Sequence, residues 1–180
     1  MTDVERVYNE LRAVLSLLKE RGEPSDIISF EQLAAKTLVL CAASYFERQI
    51  CSMLLEVAGA TGTTVVFRTF INKQALERRF HSMFNWNSAN ANAFFGLFGP
   101  DVKDWMADLI AADDALVRAV REFMFINSQR NRLVHENFAA MSIDVTLEEV
   151  WQKFNTASQF TAWLPERLAE ASRAGGVPAA

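Results

Sequence analysis

From about Ile27 to Ala58 the chain runs on without a glycine or a proline, and its apolar residues do not keep to one side. Leu38, Val39, Leu40, Tyr45, Phe46, Ile50, Met53, Leu54 and Leu55 spread over most of a helical wheel. A surface helix shows one apolar stripe, whereas a helix that is apolar nearly all round is a central one. The segment therefore predicts a long helix with neighbours on several sides, and the rest of the fold must be arranged around it. Gly59-Ala60-Thr61-Gly62 closes the pattern, Arg21-Gly22-Glu23-Pro24 precedes it, and Ser25 or Asp26 is expected to cap its start.

The remaining segments read the same way. Val4, Val7, Leu11, Val14, Leu15 and Leu18 form a helical stripe over residues 3–20. Thr63-Thr64-Val65-Val66-Phe67 is β-branched and reads as an extended connector, after which Asn72 is expected to cap a helix from Lys73 to Phe84. An Asn-rich turn over 85–92 introduces a short helix around Ala93–Phe98, and Gly99-Pro100 separates it from another around Val102–Ala111. Asp113 opens a strong pattern that runs to roughly His135. Thr146-x-x-Glu149 fits a capping box for a last helix to about Leu164, with Pro165 as a break or kink.

With seven Gly and four Pro among 180 residues there is little turn chemistry, which disfavours a many-stranded sheet. The expectation is an all-α chain forming a single domain over 1–180, with a core at about 3–168 and a tail over 171–180. A hydrophobic fraction of 51% excludes a disordered chain, and a net charge of −4 excludes a general nucleic-acid packager. Cys41 and Cys51 lie about 15 Å apart along one helix, too far for a disulfide, and read as two buried thiols in a reducing compartment. The polar, acidic start is unlike a signal peptide, and the apolar run Thr37–Phe46 is too short to span a bilayer, so a cytoplasmic location without membrane attachment is expected.

One helix carries chemistry. Leu116, Ala119, Phe123, Ile126 and Leu133 fall within about 100° of one another, and Arg130 falls inside that stripe. A guanidinium there must be paired or must face a cleft. Beside it Asn127, Asn131 and His135 recur at i, i+4 and i+8, so they share one side. Such a face suits RNA cleavage by the ribose 2′-hydroxyl. The imidazole acts as acid or base, the guanidinium stabilises the charge on phosphorus, and an amide such as Asn131 orients either. None of these roles needs a metal, and with two His and no paired-cysteine motif no zinc framework is available. The alternative for Arg130 and His135 is stabilisation of a helix C-terminus.

Other residues admit two readings. Glu47 lies among Leu40, Ala43, Ile50, Cys51 and Leu54, and either pairs with Arg130 to orient the site or forms an ordinary pair with a neighbouring basic residue. Arg78, Arg79 and His81, with Arg68 and Lys73, form the most basic stretch and either touch an RNA backbone or make a solvated face. Arg132 either reaches phosphate or pairs with Glu136. Trp86, Phe94, Phe95 and Phe98 either stack bases or fill the core.

Arg130-Asn131-x-x-x-His135 at the end of a long helix resembles the signature of the HEPN superfamily, an arginine and a histidine separated by four to six residues, with a polar residue after the arginine. Ser44-Tyr45-Phe46-Glu47, Arg79-Phe80-His81, Phe94-Phe95-Gly96-Leu97-Phe98-Gly99 and Val134-His135-Glu136-Asn137 are similar to HEPN subfamilies of bacterial conflict systems, notably the RiboL-PSP and MAE_28990-like groups. The resemblance spans roughly residues 30–165. It implies an up-and-down helical bundle with a few extra short helices that dimerises through the motif face. It further implies a metal-independent endoribonuclease without a cofactor, acting as a toxin or antiphage effector. Arg130 and His135 of two protomers would share one composite site. The implied partners are an RNA substrate, a second copy and a cognate antitoxin of the nucleotidyltransferase type. Other members only bind nucleotide, RNA or a protein partner, which is the alternative the resemblance leaves open.

Overall fold

The computed structural model describes residues 1–22, 24–76 and 79–177. Helix α1 (Asp3–Arg21) starts at a capping box between Thr2 and Glu5 and ends at Gly22, whose φ of 72° is the left-handed conformation that favours glycine. Helix α2 (Pro24–Ala60) is the central helix. Ser25 and Asp26 lie inside its first turn and do not precede it, because the helix already begins at Pro24, a residue suited to a first turn where the missing N–H costs nothing.

Around α2 pack α1, then α6 (Asp114–His135) and α7 (Leu147–Ala174), which also pack on each other. By length and composition α2 could cross a membrane; it packs against all three of these helices, and 39% of its most apolar window is buried. The core is aromatic. Phe46 of α2 lies 5.3 Å from Phe123 of α6 and 5.3 Å from Phe154 of α7, and Phe123 lies 5.2 Å from Phe160 of α7. All but Phe154 are fully buried, each worth about 2–3 kcal/mol of transfer free energy. Phe123→Ala is the single change most damaging to this junction, at about 3–5 kcal/mol.

The described residues are 81% helical and contain no strand, so the all-α expectation holds. The connector expected over 63–67 is extended at Thr64 but helical from Val65. Thr64 is an N-cap whose hydroxyl accepts from the Phe67 N–H at 3.4 Å, and α3 (Val65–Ile71) follows. Asn72 closes α3 and, with helical backbone angles, is also the first residue of the turn that follows, so it is not an N-cap. Of the expected Lys73–Phe84 helix, Glu77 and Arg78 lie outside the described residues, and the described part includes a π-type turn (Asn72–Leu76) and a 3-10 turn (Phe80–Ser82) preceded by Arg79 at φ −128°.

Short α4 (Asn92–Phe95), a 3-10 turn (Gly96–Phe98) and α5 (Pro100–Ala111) match the expected positions. Asp113 caps α6 through the Ala115 and Leu116 amides, and the Thr146–Glu149 box opens α7. Helix α7 does not stop near Pro165 but runs through it to Ala174. Leu164, Leu168 and Ala171 continue its buried row, and that packing outweighs the lost hydrogen bond. Both thiols are free and only half-buried.

Candidate active site

Helix α6 builds the site with the same residues that build its core. Phe123, Ile126 and Leu133 point inward, and the row Asn127, Asn131, His135 passes from core to solvent along the helix. Asn127 is 1% exposed. Its amide nitrogen donates to the Phe123 carbonyl at 2.9 Å, and its oxygen is buried with no partner among the described residues. Asn131 is half-buried and accepts from Arg130 Nη1 at 3.2 Å, while His135, one turn further, is exposed. Arg130 is half-buried, and among the described residues no carboxylate lies within ion-pair reach of it. A cation left without a counter-ion beside an exposed imidazole is an attractive place for an anion.

The structure adds a second imidazole. His81, in the 3-10 turn, has its Nε2 at 3.6 Å from Glu47 Oε2 on α2. Glu47 thus faces His81 and not Arg130, a contact that becomes an ion pair only when the imidazole is protonated. The histidine backbone is pinned as well, because Trp86 Nε1 donates to the His81 carbonyl at 2.7 Å. The imidazole pKa is lowered below its ordinary value, first by burial and then by the positive charge of Arg130. Glu47 opposes that shift and His135 adds to it. The charges of Arg130, Glu47 and His135 thus all act on the His81 imidazole. His81 Nδ1 is buried and has no hydrogen-bond partner among the described residues. Cys51, one turn after Glu47, is no nucleophile: burial and then the Glu47 charge push its thiol up to about 11.

The other candidates separate from this group. Arg132 is exposed and engaged with Glu136 and Gln129, both at 3.4 Å. Arg79 is exposed, and Arg78 lies outside the described residues. Arg68 lies against α2, where a Cβ at Gly59 would come 2.4 Å from its Nη1, so the basic stretch is divided. Phe94 and Phe95 are fully buried and Trp86 stacks on Phe84 at 4.8 Å, which makes them core, while Phe98 is 39% exposed.

One supporting residue escaped the sequence reading. Lys36 of α2 is 7% exposed, donates to the Phe138 carbonyl at 3.0 Å and lies 5.1 Å from the centre of its ring. Gln32 exchanges two hydrogen bonds with the Ile143 backbone, and Glu31 accepts from the Leu147 amide. The start of α2 thus clamps the segment that leaves His135. The signal was a lysine in an otherwise apolar run, which needs a buried partner.

Among the described residues, no three His, Cys, Asp or Glu side chains gather closely enough to hold a metal. No curated protein and no solved structure matched the chain. A family model described as RiboL-PSP-HEPN matches residues 5–167, and the chain belongs to that family, within the HEPN superfamily.

Proposed function

We propose that the chain is a metal-independent endoribonuclease. HEPN domains are generally nuclease or nucleotide-binding modules. The observation that favours cleavage over binding is the pairing of an uncompensated, half-buried Arg130 with a solvent-exposed His135 at the open end of α6. Binding a phosphodiester needs only the cation, whereas an adjacent imidazole supplies proton transfer. Arg130 stabilises the charge that develops on phosphorus, His135 acts as acid or base, and Asn131 holds the guanidinium in place. The product ends are a 2′,3′-cyclic phosphate and a 5′-hydroxyl.

The site is composite in this reading, formed by Arg130 and His135 of two protomers. Exposed apolar side chains beside His135 support a partner there: Val134 is 52% and Phe138 36% exposed. A toxin or antiphage role, held in check by a nucleotidyltransferase-type antitoxin, is part of the same proposal.

The test is cleavage of total RNA in EDTA by wild type, Arg130→Ala and His135→Ala. The expected result is cleavage by wild type and a loss of about 10²–10⁴-fold in each variant. Equal rates in all three overturn the assignment, and RNA binding without cleavage by wild type replaces it with a binding module.

A further inference from the structure

We propose that His81 is a second catalytic residue of this site, taking the ribose 2′-hydroxyl proton within the same protomer that carries His135, with Glu47 as its positioning residue. The inference rests on the RNA-cleavage reading and extends it to residues from two further elements.

The geometry comes first. Glu47 from α2 meets His81 from the 3-10 turn at 3.6 Å, and the charges of Arg130 and His135 on α6 act on that same imidazole. The His81 side chain is 37% exposed, so it is neither a sealed core residue nor a free surface one. Its position is fixed from two sides. Its ring lies edge-on to Phe80 at 5.3 Å, and its carbonyl is tied to Trp86. With Nδ1 buried, Nε2 is the nitrogen left for chemistry.

The charges then divide the roles. A base must be neutral before it acts, and burial together with the Arg130 charge holds His81 in that form at neutral pH. A base must also tolerate the charge it acquires. The Glu47 carboxylate, 3.6 Å from Nε2, is the counter-ion for the imidazolium formed. Among the described residues the titratable and charged groups acting on His81 are Glu47, Arg130 and His135. In the step itself the 2′-O–H proton passes to His81 Nε2 and the 2′-oxygen bonds to phosphorus. The P–O5′ bond breaks, and the 5′-oxygen takes its proton from the His135 imidazolium. Arg130 faces the non-bridging oxygens. Acid and base then come from one chain, while the second protomer completes the cleft.

The experiment measures kcat/KM against pH on a short single-stranded RNA in EDTA, for wild type, His135→Ala, His81→Asn, His81→Gln and Glu47→Gln, with circular dichroism to check folding. Both His81 variants should lose about 10²–10⁴-fold and with it the acidic limb of the profile. Glu47→Gln should lose part of the rate, less than the His81 variants, and its acidic limb should move to lower pH, because removing the carboxylate lowers the His81 pKa further. Folded His81 variants within twofold of wild type, alongside an inactive His135→Ala, overturn this inference and leave the cleavage reading intact. An unmoved acidic limb in Glu47→Gln also overturns it, even where the His81 variants fail to fold. An active His135→Ala overturns the cleavage reading itself.

Discussion

Glu47 and His81, 34 residues apart in sequence, meet at 3.6 Å between Oε2 and Nε2, and this contact ties the central helix to the turn that flanks the α6 site. It has a consequence for stability that is separate from chemistry. The folded-state pKa of His81 lies below its unfolded value. Above the unfolded value, near 6.5, both states are neutral and the residue contributes nothing to pH dependence. As pH falls through that value the unfolded chain takes up a proton that the folded chain refuses, so stability declines. His81→Gln should therefore lose less Tm than wild type between pH 7.5 and pH 5.5. An identical decline in the two proteins would show that His81 does not carry this dependence.

Asn127 should trade stability against activity. Its buried oxygen has no partner, and its amide nitrogen bonds only to a carbonyl of its own helix. Asn127→Leu keeps the shape and removes the unsatisfied atom, so it should be neutral or stabilising within about 1 kcal/mol. Asn127→Ala opens a cavity and should cost about 1–3 kcal/mol. Both should slow RNA cleavage if the row of Asn127, Asn131 and His135 acts together. Thermal melts beside cleavage assays check this, and a fully active Asn127→Leu would limit the residue to packing.

Lys36 should govern the segment after His135. Lys36→Met keeps most of the stem but leaves the Phe138 carbonyl without its donor, at a cost of about 1–3 kcal/mol. Hydrogen exchange should rise at residues 137–143, including the Met141 amide that bonds to the Asn137 carbonyl. Protection unchanged from wild type would mean that Gln32 and Glu31 suffice as the clamp.

Val134 should report on a second copy. The side chain is exposed, so Val134→Glu should change folding stability by no more than about 0.5 kcal/mol. Placed on the proposed protomer contact, the same change should convert dimer to monomer in sedimentation velocity and abolish cleavage. A wild-type oligomeric state in the variant would move the contact elsewhere.

The large elements were legible because burial writes a pattern. The all-round apolar stretch at 27–58 announces α2, Asp113 caps α6, and the Thr146–Glu149 box opens α7. Segment 63–84 was misread for the complementary reason. Val65, Val66, Phe67 and Phe70 of α3 are all more than half exposed, so no buried face disciplines their spacing, and the β-branched pair suggested extended chain. A local device, the Thr64 cap, decides the structure there. At Pro165 the error ran the other way: a local breaker was trusted over the buried row that carries α7 onward.

The site divides along the same line. The row Asn127, Asn131, His135 was visible from spacing, because one helix presents all three. His81 joins the site only through packing of a turn against α2, which no spacing encodes, and Glu47 could be named as a carboxylate on an apolar face but not matched to its partner.

On α6 the residues of the site alternate with those of the core: Phe123, Ile126 and Leu133 interleave with Asn127, Arg130 and Asn131. Any substitution that rotates or slides this helix to repack Phe123 against Phe46 and Phe160 also turns the guanidinium and the imidazole at its far end. Divergence in the interior and divergence in catalytic geometry are thus coupled by a rigid rod. Variation in activity among sequences of this kind should enter more readily through the turn that bears His81, which can shift without disturbing the bundle.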